Sequence, residues 1–255
     1  MKKQLVIFAM FLCSWIIFAN PLYAIEIQFA VDEANPPFMY KNSTTGKAAG
    51  LYPELVQAIF KEFGAEAVVN PFPWKRVLTL GESGETGIAG IYKNEKRLLI
   101  FDYSKPIFDE KIVIYTHKDK RFAYNGIADL KGKSIGVIRG WSYGDDFDKG
   151  KEKGDFSIQE NVSDELNFKK LEADRVDCVL AIQQSGDSVI EKLSLQDKVV
   201  MLEQPMIVNS TYIVFAKKSN QLELIKKFND TLDRMNQDGS YQAKVKEIFE
   251  EEAKK

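Results

Sequence analysis

Gly87-Ile88-Ala89-Gly90-Ile91-Tyr92-Lys93-Asn94-Glu95-Lys96-Arg97, followed by Phe101-Asp102-Tyr103-Ser104-Lys105-Pro106, is the stretch around which the rest of the chain arranges itself. Residues 87–91 are apolar and rich in small side chains, the composition of a strand that lets backbone approach a bound molecule. Arg97 follows Gly90 by seven residues. Its planar guanidinium offers two parallel N–H donors to a carboxylate, a fork that lysine does not reproduce.

Outward from this stretch, strands alternate with helices. Residues 25–31 alternate apolar and polar positions at their start, as a half-buried strand does, and residues 32–37 break into a turn. Leu51, Leu55, Val56, Ile59 and Phe63 recur at helical spacing, with Gly64 as the stop. Residues 67–69 read as a second strand. Downstream, Ser134 to Ile138 predict a strand feeding the turn Arg139-Gly140-Trp141-Ser142-Tyr143-Gly144 and a short helix through Phe147. Helix N-terminal N–H groups at such a turn make an anion site. Ser163 caps a helix holding Leu166 and Leu171, residues 175–182 form a strand, and residues 186–193 a short helix. Thr211 to Ala216 is an apolar strand. Leu222, Ile225, Phe228, Leu232 and Met235 share a helical face that Gly239 ends, before a last amphipathic turn through Phe249. This succession is the parallel α/β pattern.

The amino terminus carries Lys2 and Lys3, an apolar run from Leu5 to Phe18 broken by Ser14, and Leu22-Tyr23-Ala24 ending in a small residue. That pattern predicts a cleavable signal peptide over residues 1–24. The run is shorter than the roughly 20 residues that span a bilayer. Its removal takes two lysines and no acids, moving the formal charge from -2 to -4. Cys178 is then the remaining cysteine, so no internal disulfide is expected, and it is read as packed inside its strand. Lys and Glu are interspersed, and nothing points to nucleic acid. Catalytic chemistry is sparse as well. His117 is the single histidine and supports no Ser-His-Asp or Cys-His set, a lone Cys and His do not build a zinc site, and Gly81-Glu82-Ser83-Gly84 lacks the Lys-Ser/Thr ending of a phosphate loop. No cofactor or metal is expected.

Pro36-Pro37-Phe38, Gly50-Leu51, the arginine segment with its aromatic-Ser-x-Pro exit, Leu130-Lys131-Gly132-Lys133, Arg175-Val176-Asp177 and Met235-Asn236-Gln237-Asp238-Gly239-Ser240-Tyr241 occur in that order. Together they resemble the periplasmic amino-acid-binding proteins, bacterial extracellular solute-binding family 3, over nearly the whole exported chain. The resemblance implies an α/β, type II periplasmic-binding-protein fold of two lobes. Each lobe is a mostly parallel sheet flanked by helices, and two hinge crossovers join them. Lobe 1 is expected over 25–106 plus 212–255, lobe 2 over 112–206, and the hinges near 107–111 and 205–211. The implied function is that of a periplasmic monomer that captures a small carboxylate or amino acid between the lobes and delivers it to a membrane ABC permease. Two alternatives share the scaffold: a cyclohexadienyl dehydratase-like enzyme with Asp32 or Glu54 as acid, and a sensory protein that docks on a receptor kinase.

The resemblance also assigns ligand-binding candidates. Arg97 stands where the family's arginine pairs with the ligand carboxylate, and Gly90 where a backbone oxygen accepts from the ligand amine. Tyr92 replaces a smaller hydroxyl. Trp74, read as lying in a loop after Pro73, and Phe38 match the aromatic sandwich. Asp32 matches an aspartate near the pocket, and Ser142 and Tyr143 fall in the lobe-two turn that supplies donors. Lys75 and Arg76 read as solvated rim charges. One position departs from the pattern: Ile182 stands where an acid usually meets the ligand ammonium. Three readings are open. Gln183 takes that role through a one-residue shift, Asp32 or Asp187 substitutes, or the ligand is not an α-amino acid.

Overall fold

The computed structural model describes residues 26–254. The expected signal peptide lies outside them. In chain order the elements are β1 (Glu26–Asp32), β2 (Ala34–Asn35), β3 (Met39–Lys41), β4 (Ala48–Ala49), α1 (Leu51–Glu62), β5 (Glu66–Phe72), α2 (Trp74–Ser83), β6 (Gly87–Tyr92), α3 (Glu95–Leu98), β7 (Phe101–Tyr103) and β8 (Phe108–His117). Then follow β9 (Ser134–Ile138), α4 (Asp145–Lys153), β10 (Ser157–Asn161), α5 (Asp164–Glu172), β11 (Cys178–Ile182), α6 (Gln183–Lys192), β12 (Val199–Met201), β13 (Ile207–Ala216), α7 (Leu222–Asp238) and α8 (Ser240–Glu252). Among the described residues no helix is long and apolar enough to cross a membrane.

Two sets of parallel strands are joined by two long antiparallel ones. β5, β1 and β6 run parallel in one lobe; β11, β9 and β10 do so in the other. Between them lie β8 and β13, giving a continuous order β10-β9-β11-β8-β13-β6-β1-β5, with β12 on β8 and β7 on β13. Residues Phe108 to Ile112 of β8 pair with Thr211 to Ile207 of β13, so the two stretches expected as crossovers lie side by side in one ladder.

Burial follows this division. Phe29, Phe60, Phe215 and Phe228 pack edge-on or tilted beneath α1 and α7 in the first core. Ile114, Ile135, Leu180 and Phe147 belong to a second core, and Tyr115, Phe168 and Val179 to a third on the opposite face of the same strands. Cys178 is buried in β11, as its strand position predicted.

Helix ends obey the local signals. Ser163 accepts from the Leu166 N–H at 3.4 Å to start α5, and Gly239, at φ 79°, stops α7. Several elements escaped or outgrew the sequence reading, the short strands β2, β3, β4, β7 and β12 and the one-turn α3 among them. α2 was hidden behind Pro73, although Trp74, Val77 and Gly81 sit at helical spacing and form its buried face. β10 is half-polar and carries no clean alternation. The last turn is in fact the 13-residue helix α8.

Candidate functional site

β6 and its neighbour fall out of step at Gly90. Across the β6–β13 ladder Tyr212 faces Ile91 and Ile213 faces Ala89, which leaves Gly90 as an extra residue in a bulge. Its φ is 75°, and a Cβ there would lie 2.4 Å from the Tyr52 ring, so both conformation and space call for glycine. Asn94 then caps α3 by accepting the Arg97 N–H at 2.8 Å, which fixes the one-turn helix carrying the arginine.

Arg97 is only 8% exposed. It donates to the Tyr92 carbonyl at 3.1 Å and, across the seam, to the Gly140 carbonyl at 3.2 Å. Its guanidinium also lies 5.8 Å from the Trp74 ring centroid. Among the described residues no carboxylate forms an ion pair with it. Burial pulls its pKa down, opposed by Tyr103 and Asp148, and an arginine so placed remains charged.

The facing turn of the second lobe closes against this surface. Gly140 adopts φ 77°, and its carbonyl accepts from Trp74 Nε1 at 3.0 Å as well as from Arg97. The Trp141 indole sits edge-on to Trp74 and Tyr92, with centroids 6.4 and 6.3 Å away, and donates to Asp32 Oδ2 at 3.1 Å. Ser185 Oγ donates across the seam to the Pro36 carbonyl at 2.8 Å. At the rim, Lys149 pairs with Glu95 at 3.1 Å and Lys96 with Glu152, exposed contacts that solvent and salt screen.

Trp74 borders two spaces. The inner one, about 10 Å³, has room for one water and is lined by Met39, Trp74, Gly90, Tyr92, Arg97, Glu110, Trp141 and Ser142. The outer one, about 570 Å³, falls in the range of small-ligand pockets and is lined by Asp32, Trp74, Arg76 and Arg139 among others.

The candidates separate accordingly. Arg97, Gly90, Tyr92, Trp74 and Ser142 come together at the inner space. Asp32 lines the outer one. Trp74 opens α2 and does not lie in a loop, because Pro73, with φ -52°, leads directly into the helix. Phe38 is displaced from the expected sandwich: it is fully buried against Tyr52, Phe108 and Phe249, and Met39 reaches the cavity instead. Tyr143 is likewise a support, its hydroxyl accepting the Ile138 N–H at 2.8 Å inside the second lobe. Gln183 starts α6 and lines neither space, while its carbonyl takes the Tyr115 hydroxyl at 3.0 Å. Asp187 accepts the same hydroxyl at 2.7 Å. The α4 terminus is no anion site, since Asp145, Asp146 and Asp148 crowd its first turn and Ser142 Oγ donates to Asp148 at 2.6 Å.

Glu110 escaped the sequence reading. It lies in β8, 2% exposed, and accepts hydrogen bonds from both the Tyr52 and Tyr92 hydroxyls. Phe108-Asp109-Glu110-Lys111 looks like a charged hinge. The signal was strand alternation, since Asp109 and Lys111 are exposed while Glu110 shares a face with buried Ile112 and Ile114.

Among the described residues three buried carboxyls are pushed strongly upward, with burial the main cause in each. Asp32 rises from 3.8 to about 6, Glu110 from 4.5 to about 7 and Asp164 from 3.8 to about 7. Hydrogen bonds from Trp141 to Asp32 and from the tyrosines to Glu110 oppose only part of this. A carboxyl whose pKa is raised on folding favours the native state while protonated. That contribution is complete below the unfolded value and is lost as pH climbs through the folded one. The melting temperature should therefore fall between about pH 4 and about pH 8. Asp32→Asn keeps an oxygen for Trp141 but loses the acceptor of the Ala34 N–H, a cost present at every pH, and should gain on wild type by about 1–3 kcal/mol between pH 4 and pH 8. Melting curves of both proteins across this range test the point; a difference independent of pH would contradict it.

Among the described residues no group of His, Cys, Asp and Glu able to hold a metal occurs. His117 ends β8, and its ring nitrogen accepts the Asp119 N–H at 3.4 Å.

With this geometry in place, similarity to known proteins is informative. The profile described as bacterial extracellular solute-binding proteins, family 3, matches residues 27–251. The chain is 24% identical over 216 residues to the L-cystine-binding protein TcyJ of Escherichia coli, spanning 84% of this chain and 79% of that protein. In structure it is similar to a mutant of ArgBP from T. maritima, with TM-score 0.74 at 19% identity over 88% of this chain and 95% of that one. It is also similar to a histidine kinase sensor domain that resembles periplasmic binding proteins, with TM-score 0.76 at 21% identity over 88% and 96% of the two chains. At these identities the structural likeness speaks to fold.

Proposed function

We propose that this chain, which belongs to the bacterial extracellular solute-binding proteins of family 3, captures an amino acid or closely related small carboxylate between its lobes and delivers it to a membrane ABC permease. The fold is the type II periplasmic-binding-protein fold, and the family is one of binding proteins rather than enzymes. Arg97 carries the reading: a buried guanidinium at the interlobe seam whose hydrogen bonds go to two carbonyls, with no recorded acid partner among the described residues. A ligand carboxylate displaces weak neutral acceptors there and gains two charge-assisted bonds.

On this reading lobe 1 comprises residues 25–106 and 212–255, lobe 2 residues 112–206, and bending occurs in the β8–β13 ladder near 107–111 and 205–211. Opening withdraws Trp141 with its turn and releases the Gly140 carbonyl from Trp74 and Arg97, which widens the inner space into a cleft. Ligand then closes the lobes by adding contacts that only the closed state makes. Trp74 and Trp141 cover its apolar part, the Gly90 bulge offers backbone groups, and Asp32 holds Trp141. Phe38 and Tyr143 act from behind. The protein works as a periplasmic monomer after loss of residues 1–24.

A thermal-shift screen of the 20 protein amino acids, L-cystine, keto acids and small dicarboxylates tests this. A true ligand at about 100 times its Kd should add about 2.7 kcal/mol and raise the melting temperature by about 5–10 °C. No shift with any of these compounds would end the proposal.

A further inference from the structure

The inner space has two charged walls, and only one has been given a task. Arg97 and Glu110 are its charged lining residues, on α3 and β8. Glu110 is far from idle packing. Its carboxyl is held by two hydroxyls from different elements, Tyr52 of α1 and Tyr92 of β6. Two tyrosine donors use half of the roughly four lone-pair positions of a carboxylate, which leaves it able to accept more. A buried acid gains by meeting a cation, and among the described residues no Lys or Arg forms an ion pair with Glu110. The other acids near the seam are engaged elsewhere: Asp32 with Trp141, Asp148 with Ser142, Asp187 with Tyr115. Ile182 is packed into the first lobe's core and offers nothing polar.

Building on the capture reading, we infer that Glu110 receives the ligand's ammonium group, so that the site selects a zwitterion: carboxylate on Arg97, cation on Glu110. The two tyrosines fix the acid's position, and the bulge at Gly90 brings backbone beside it. The charged groups facing Glu110 through the cavity reduce to Arg97, with the Tyr52 and Tyr92 hydroxyls in contact and Tyr241 behind Tyr52. Burial holds the Glu110 pKa up to about 7, so an ammonium must draw it into the ionised form.

The test compares each of the 20 protein amino acids and L-cystine with its des-amino acid, for example L-cystine with 3,3′-dithiodipropionate and L-arginine with 5-guanidinopentanoate. Wild type should bind an amino acid and lose about 30-fold or more for its des-amino counterpart. Glu110→Gln should lose that preference, weakening the amino acid by a similar factor while changing the des-amino acid less than about threefold. Wild type alone supplies a second measurement should the variant fail to fold. Its affinity for the amino acid should fall by up to about tenfold per pH unit from about pH 7 to about pH 5. Equal binding of amino and des-amino acids, an unchanged preference in a folded Glu110→Gln, or a flat pH profile overturns the inference. Binding of des-amino acids alone overturns it while leaving capture through Arg97 standing. Silence across both sets removes both.

Discussion

Arg97→Ala lowers ligand affinity by about 100-fold or more and leaves a folded protein. Truncating one partner of a buried, hydrogen-bonded charge pair costs about 2–5 kcal/mol, because the ligand carboxylate stays in the cleft without its fork. The stability cost is smaller. The Gly140 carbonyl keeps the Trp74 indole N–H, and the Tyr92 carbonyl keeps the Tyr103 hydroxyl at 3.4 Å. The buried charge, with its desolvation, is removed as well, so about 1 kcal/mol net is expected. Arg97→Lys keeps the charge and loses the planar pair of donors, which should place its affinity between the two. Calorimetry with the compound found by thermal shift checks the series. Undiminished affinity in Arg97→Ala would take this residue out of the site.

Gly90→Ala should strike stability hardest. The left-handed backbone costs a non-glycine residue about 1–2 kcal/mol. The methyl would also press on Tyr52 Cδ2 at 2.4 Å, and Tyr52 is fully buried with its hydroxyl on Glu110. Overpacking of that kind costs about 1–3 kcal/mol more. A melting temperature lower by about 10 °C is expected for a chain of this size. Binding should weaken too, since the ring that moves is the one that positions Glu110. An alanine variant melting with wild type would mean that the bulge relaxes freely.

The fold was legible wherever one periodicity ruled. β9 matched Ser134 to Ile138 residue for residue, and Ser163 was recognised as a cap because its hydroxyl and its place before Leu166 admit one reading. α2 was missed because a proline at its start reads as loop chemistry, although proline is at home just before or within a first helical turn. Within the site, Arg97 and Trp74 were visible through residue type and context. Phe38 was not separable from core by sequence, since an aromatic after Pro36-Pro37 suits a pocket wall and a packed interior equally. Glu110 was obscured by Asp109 and Lys111, whose charges make the whole run look solvated. Pairing partners in tertiary structure, two tyrosines from distant segments, are what distinguish it.

The crowding of indoles at the seam has an optical consequence. The chain holds three tryptophans, and beyond residue 24 these are Trp74 and Trp141. On the proposed loss of residues 1–24, tryptophan emission comes only from the two rings that meet across the gap. Separation of the halves breaks the contact between them, so native emission should report opening and its rate in a rapid-mixing flow cell without an attached dye.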